Sequence, residues 1–455
     1  MRRLFLVLVT TLLCLPLGQA LPSATAAPAE PVAAVQPQSA ATVVAKRGPY
    51  TCWRAATATC RISGGVTFSS ANGSDAQKWA IINRIVSTIR RTPSNASIQI
   101  MSWNIMSRGG VSALIDAARR GVRVRVLMDG ANRSKDVPNP GFTRLVKGLR
   151  AANRAKSAAF PTARYSYAKT CKGSCRRGNA ASAHAKYYMF SKVGASRNVV
   201  MQGSANLTAA AASNQWNDLV TYTENAPLYS FFNTTFVQMW QDRYVSPSWR
   251  QFKGSTFEMY FSPRLDGNVD PLTYQLQRVR CTGTTAGRNG RTVIRAAPDV
   301  FRGTWGMTVA KLLRKLWNEG CDIKIGYTVI GVDVKRYISA PGGRGPVPHR
   351  QLAQDVDGDK VLDKYFHLKA WTINGRSIAG GTDDKSYYWM MQGSSNISDL
   401  SKISDENIGV FKYASVTLKY QNYIDRWFTN PPRSRPVIPS RVPKNVDPYA
   451  KMEMD

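Results

Sequence analysis

The chain has 455 residues, 43% of them hydrophobic, and a formal net charge of +34. This apolar content excludes a disordered chain, and the length suits two domains or one large domain built from two halves. The charge exceeds what solubility needs and points to an anionic partner such as a membrane surface, a nucleic acid or a cell-wall polymer.

Residues 1–26 read as a secretory signal. Arg2 and Arg3 precede a mostly apolar run from Leu4 to Leu17, and Ala24-Thr25-Ala26 offers a cleavage site, with Gly18-Gln19-Ala20 as the alternative. The run is too short for a membrane span, no later stretch is long and apolar enough to be one, and Cys14 lacks the small residue before it that a lipoprotein anchor requires. The expectation is a secreted, extracellular protein. Residues 27–48 are an Ala/Pro-rich linker, with folded segments expected over 49–250 and 251–440 and a tail over 441–455. Without Cys14 six cysteines remain, an even number that suggests disulfides in an exported protein. Proximity favours Cys52–Cys60, Cys171–Cys175 and Cys281–Cys321, although the sequence leaves the pairing open. Zinc is disfavoured, because Cys171 and Cys175 have no second half with ligand spacing.

From Val66 the chain can be laid on itself. Val66–Arg91 and Met259–Arg280 each read as a short strand, a loop and an amphipathic helix; "SIQIMSWNI" then matches "TVIRAAPDV". Next, each half has a helix ended by glycine, Gly121 or Gly320, and a β-rich strand. This order fits a duplicated α/β unit, and the repeat is too long for a solenoid. Between Ala131 and Ala180 twelve Lys or Arg stand against one acid, Asp136. A segment so basic, carrying Tyr165 and Tyr167, is expected on the rim of a site, gripping lipid headgroups or a phosphate backbone, or else forming a solvated face.

Each half then reaches the same constellation. His184-x-Lys186 is followed by Gly203-Ser204-Ala205-Asn206, and His367-x-Lys369 by Gly393-Ser394-Ser395-Asn396, using two of the three histidines in the chain. The third, His349, is read as a loop residue without a role. Residues two apart in a strand face the same side, so each His-x-Lys pair is expected to point together, and a return strand would bring Ser and Asn beside it. Such a doubled set suits phosphodiester chemistry. One histidine can attack phosphorus while the other protonates the leaving alcohol. The lysines and asparagines would hold the non-bridging oxygens, and the lysines supply positive charge that a metal otherwise provides, so no cofactor is expected. An attacking histidine needs a partner that fixes its tautomer. Asp218 in "SNQWNDLV" and Glu406 in "SDENIGV" are the candidates, with Asp405 as a rival to Glu406. Just before His367, "DVDGDKVLD" offers weak calcium candidates in Asp355, Asp357, Asp359 and Asp363. It fails the EF-hand template in the place of its glycine and at Phe366, where the closing Glu belongs, so a solvated acidic turn is the favoured reading.

From about Val66 to Phe428 these motifs resemble the phospholipase D superfamily, whose hallmark is a duplicated His-x-Lys followed by Gly-Ser-x-Asn. The resemblance implies two α/β lobes, each a mixed sheet flanked by helices, with a pseudo-twofold site between them. It also implies a phosphohistidine intermediate and turnover without a metal, with His184, Lys186, Ser204, Asn206, His367, Lys369, Ser394 and Asn396 as site residues. By likeness to the bacterial phospholipases, His184 would be the nucleophile and His367 the acid. The family motif continues to an aspartate where this chain has Ser191 and Asn374, as in the tyrosyl-DNA phosphodiesterase branch, which weakens assignment to the best-known lipid-cleaving members. The expected function is cleavage of phospholipid at a membrane surface to phosphatidic acid and a free headgroup, by a monomer holding both half-sites. A nuclease of the same superfamily is the alternative. A catalytically inactive anion-binding protein is a third reading, against which two intact His-x-Lys sets speak.

Overall fold

Alternation of apolar periodicity between two and about 3.6 residues, which marks strands and helices in turn, is realised throughout. The computed structural model describes residues 60–178, 181–265, 267–433, 437, 441–443 and 445–453. The expected leader and linker, and Cys52 of the expected Cys52–Cys60 pair, lie outside the described residues.

The first half contains β1 (Gly65–Phe68), α1 (Ala80–Arg90), β2 (Ser97–Met101), α2 (Arg108–Arg119), β3 (Arg123–Asp129), α3 (Pro140–Arg154), β4 (Tyr167–Cys171), β5 (Tyr187–Val193), β6 (Ser196–Gly203), β7 (Asp218–Tyr222) and α4 (Ala226–Gln241). The second contains β8 (Arg250–Lys253), β9 (Phe257–Phe261), α5 (Pro271–Leu276), β10 (Val293–Ala297), α6 (Gly303–Asn318), β11 (Asp322–Tyr327), α7 (Val332–Ile338), β12 (His349–Gln351), β13 (Ala370–Ser377), β14 (Asp384–Gly393), β15 (Asn407–Phe411) and α8 (Ala414–Thr429). The helices bury one stripe each: Ile81, Ile82, Ile85 and Ile89 on α1, and Trp305, Val309, Leu313 and Leu316 on α6. As expected, α2 and α6 end at glycines in the left-handed region, Gly121 at φ +98° and Gly320 at φ +104°.

The first sheet runs β1-β7-β6-β5-β2-β3-β4, and the second runs β8-β9-β15-β14-β13-β10-β11-β12. Apart from the added β8 edge and a short strand, Val279–Arg280, that pairs with β13 off this path, the orders match strand for strand. The pairing senses match as well, with the β2–β3–β4 and β10–β11–β12 ladders parallel and the others antiparallel. Both are mixed sheets flanked by helices, the fold class that the sequence predicts.

Beneath the motif segments one apolar cluster draws on both sheets, with Tyr187, Trp216, Phe232 and Phe236 packed with Phe261, Phe366 and Phe411. The sheets approach closely where Gly409 leaves room. A Cβ there would lie 2.7 Å from Gln202 Nε2 and 2.6 Å from Gln392 Nε2, the glutamines that precede the two Gly-Ser-x-Asn motifs. A small three-stranded sheet also crosses between the halves, with Lys364–Phe366 parallel to Gln215–Trp216. Disulfides join Cys171 to Cys175 and Cys281 to Cys321, as proximity suggested.

Candidate active site

The His-x-Lys segments precede β5 and β13 instead of lying within them, which corrects the expectation that strand alternation orients them. Lys369 sits at φ +52°, so the second segment is not extended at all. Both segments are held across the two halves: the His367 amide donates to Trp216 O at 3.0 Å, and the Lys186 amide to Asn407 Oδ1 at 2.6 Å. Each lysine still reaches its own histidine, because its ammonium donates to that histidine's carbonyl oxygen. His184, Lys186, Ser204, Asn206, His367, Lys369, Ser394 and Asn396 are all at most 1% exposed.

The histidine partners are exchanged between halves. His184 Nδ1 lies 3.0 Å from both carboxylate oxygens of Glu406, whereas His367 Nδ1 lies 2.8 Å from Asn217 Oδ1. Asn217 Nδ2 donates to Ala211 O and Gln215 Oε1, which fixes the amide with its oxygen toward the ring. The oxygen can only accept, so His367 carries its proton on Nδ1 and keeps a lone pair on Nε2. The motif serines support these partners: Ser204 Oγ donates to Asn217 Oδ1 at 2.8 Å, and Ser394 Oγ donates to Glu406.

Glu406 is therefore placed as expected and Asp218 is not. Asp218 turns away from both histidines and accepts from the Ser204 amide at 3.1 Å and from Tyr420 Oη at 2.6 Å. The reason is register. Asn217 and Glu406 each immediately precede a matched strand, β7 or β15, so Asp218 corresponds to Asn407. Asp405, the rival to Glu406, accepts from the Cys175 amide at 2.5 Å and touches neither histidine ring. Burial pushes the Asp218 carboxyl up to about 6, against the Tyr420 and Ser204 hydrogen bonds. It pushes Asp405 up to about 7 against Arg176, and Glu406 up to about 7 against Lys186. Burial also drives His367 well below its ordinary value, assisted by Lys369, Lys186 and His184, so its ring is neutral. That Lys186 acts on His367, and Lys369 on Glu406, puts the two motif sets in one shared centre.

The lysines differ in what faces them. Lys369 Nζ is 2.9 Å from Asp299 Oδ2 in a fully buried pair. The matching position beyond β2 is Trp103, whose ring lies 5.9 Å from Lys186 Nζ and edge-on to His184 at 5.7 Å. The asparagines are held alike: Asn206 Oδ1 accepts from the Asn104 amide, and Asn396 Oδ1 from the Val300 amide. Asp129 and Thr328, at matched positions, secure the lead-in segments: Asp129 accepts from the Ala183 amide at 2.6 Å, and Thr328 Oγ1 donates to Phe366 O at 2.7 Å. Asn217, Asp299, Trp103 and Asp129 were not foreseen.

Several peripheral expectations change. Arg176 of the basic segment is fully buried and donates to Ser248 O and Ser262 O, so it braces the fold and cannot grip a substrate. Tyr167 is exposed beneath the Arg125 guanidinium. His349 opens β12 instead of lying in a loop, with Nδ1 2.7 Å from Val347 O. Ser191 and Asn374, where the family aspartate would stand, fasten neighbouring backbone by accepting from the Ser97 and Gly287 amides. The Asp355, Asp357 and Asp363 carboxylates approach within 4.8 Å of one another. The Lys451 ammonium lies 2.6 Å from Asp363, 3.3 Å from Asp359 and 3.8 Å from Asp357, supplying positive charge to that acidic turn.

Residues 85–240 match the family described as "Cardiolipin synthase, PLD-like domain". Phosphatidylserine synthase of Haemophilus influenzae shares the fold at TM-score 0.52 and 12% identity, over 81% of this chain and 89% of that one. Residues 85–240 thus carry a PLD-like domain, which supports assignment to the phospholipase D superfamily. The superfamily's enzymes act on phosphodiester bonds. Nuc of Salmonella typhimurium, a phospholipase D family member, aligns at 18% identity and TM-score 0.29 over 40% of this chain and 95% of its own. Polyphosphate kinase of Porphyromonas gingivalis aligns at 10% identity and TM-score 0.47, and the 79% of this chain that aligns spans about half, 49%, of that longer protein. No curated protein sequence matches the chain. Among the described residues no helix is long and apolar enough to cross a membrane.

Proposed function

We propose that the protein is a secreted phosphodiesterase of the phospholipase D type that cleaves phospholipid through a phosphohistidine intermediate. The observation that carries this reading is the crossed pairing of His184 with Glu406 and of His367 with Asn217, which leaves two differently supported imidazoles in one buried centre. His184, with its Nδ1–H held by a carboxylate, attacks phosphorus through Nε2. The ring becomes cationic when the N–P bond forms, and Glu406 balances that charge for the whole life of the intermediate. With the anionic phosphate bound, His367 takes a second proton from solvent on Nε2. Its Nδ1–H is held by an amide, so it holds that proton weakly and gives it to the leaving alcohol oxygen as the P–O bond breaks, returning to the neutral ring. In the second step neutral His367 takes a proton from water, the oxygen attacks phosphorus, and the N–P bond to His184 breaks. Lys186 and Lys369, with Asn206 and Asn396, stabilise the non-bridging oxygens, so turnover needs no added metal.

Phospholipid is favoured because the Haemophilus influenzae phosphatidylserine synthase shares the fold over most of both chains, and a surface of +34 suits an anionic bilayer. The same charge favours a second reading, a nuclease of the superfamily. The Cys171–Cys175 and Cys281–Cys321 disulfides accord with an oxidising, extracellular setting. The test presents purified protein with chelator, in parallel, to phosphatidylcholine vesicles and plasmid DNA. Release of choline with phosphatidic acid is expected. Cleavage of DNA alone would select the nuclease reading, and activity that requires added zinc or magnesium would overturn the mechanism.

A further inference from the structure

The carboxamide of Asn206 does not end in open space. Its Nδ2 donates to Glu453 Oε2 at 3.0 Å, and Gln215 Nε2 donates to the same oxygen at 3.0 Å. Glu453 is 9% exposed, its amide donates to Tyr365 Oη at 2.6 Å, and its backbone hydrogen-bonds the His367 ring. A carboxylate oxygen thus takes the N–H that the proposed mechanism directs at a non-bridging phosphate oxygen. The two are alike in charge and in accepting geometry.

The segment that delivers Glu453 is fastened at a distance from the chemistry. Val442, Tyr449 and Met452 pack on Ala353, Leu362 and Tyr365, and the Leu362 amide donates to Pro448 O at 2.9 Å. Lys451, two residues before Glu453, joins Asp357, Asp359 and Asp363 through side chains that stay partly exposed. A half-exposed ion cluster weakens with salt, whereas the Glu453 contacts inside are shielded from it.

We propose that residues 445–453 form an internal competitive inhibitor, with Glu453 standing in the site for a substrate phosphate oxygen and Lys451 acting as a salt-sensitive latch. Substrate phosphate and Glu453 then exclude each other at Asn206. Opening the latch raises the fraction of molecules able to bind substrate. The inference rests on the phosphodiesterase reading for the place of the phosphate and for its activity arm.

The test uses the full chain with Glu453→Ala, Glu453→Gln or Lys451→Ala, titrated with inorganic phosphate by calorimetry and assayed on bis(p-nitrophenyl) phosphate. Loss of one charge-assisted contact predicts phosphate binding about tenfold tighter in Glu453→Ala, with KM lower by a similar factor. Glu453→Gln should fall between that variant and the native chain. Lys451→Ala should tighten phosphate binding at low salt and lose the gain that the native chain shows as salt is raised. If every form is inert yet Glu453→Ala binds phosphate more tightly, the inhibitor stands and the catalytic reading falls. Weaker or unchanged phosphate affinity in both Glu453 variants, with native melting temperatures, overturns the proposal.

Discussion

Two half-sites are built on one strand plan and carry different charges. In one, His184 leans on the Glu406 carboxylate and Lys186 faces the Trp103 ring; in the other, His367 leans on the Asn217 amide and Lys369 is paired with Asp299. The strands correspond, so the divergence lies in these side chains and in the backbone at Lys369, where φ is positive. Exchanging carboxylate for amide beneath one imidazole, and aromatic for acid beside one ammonium, divides two like histidines into a ring suited to holding positive charge and a ring that resists it.

The deepest cut removes one ring at a time. His184→Ala should lose nearly all activity on every substrate, about a thousandfold or more. His367→Ala should still react once with a p-nitrophenyl diester, whose leaving group needs no proton, and then stall with phosphate on His184. Mass spectrometry of the intact protein under mild alkali reads the adduct. An adduct on His367 in the His184→Ala background would reverse the roles, and appreciable turnover by both variants without any adduct would end the two-histidine mechanism.

Next come the supports. Glu406→Gln keeps the shape and removes the charge, and kcat should fall about 10⁴-fold, in line with other histidine–carboxylate pairs. Asn217→Ala should cost only about tenfold, because a neutral hydrogen bond is lost. Equal losses would mean that the asymmetry has no catalytic meaning. Asn217→Asp makes the halves alike: a carboxylate beside His367 raises its pKa, so the alkaline limb of kcat/KM should move to higher pH. A stationary limb would show that His367 is not the acid.

Stability gives a smaller effect with a definite sign. The folded chain holds His367 well below its ordinary value, so the unfolded chain takes up a proton that the native one refuses. Stability from this residue is full above the unfolded value near 6.5 and declines as pH falls toward the folded value. Urea unfolding between pH 7 and pH 5 should show that decline, and His367→Gln should flatten it. The smallest effect concerns the basic segment between β3 and β5. Replacing Lys172 and Arg177 by Ser should raise KM by about twofold at low salt and weaken its salt dependence. No change in either quantity would leave that segment as a solvated face.

The repeated motifs made the fold legible, because glycine-capped helices and alternating strands recur in the same order around them. Glu406 was legible too. Asn217 is within reach of the sequence: aligning "NDLV" with "ENIGV" residue by residue sets Asn217 against Glu406, although a carboxylate partner for each histidine points to Asp218. Asp299 and Trp103 could not be read, since no local pattern says that residues two places beyond a strand will face a lysine from a distant motif. The backbone at Lys369 was not legible, since a lysine with positive φ has no local sequence signal. Glu453 lies hundreds of residues from Asn206, and only folding brings them together.

Exchange of the histidine partners makes chemical competence a property of the seam and not of either sheet. A small separation there, breaking only the short Gln215–Trp216 pairing with Lys364–Phe366 and leaving both large sheets intact, would take Glu406 from His184 and Asn217 from His367 at the same moment. Under gentle denaturation the activity should therefore vanish as one cooperative event, ahead of the loss of secondary structure, and return only when the two sheets close on each other again.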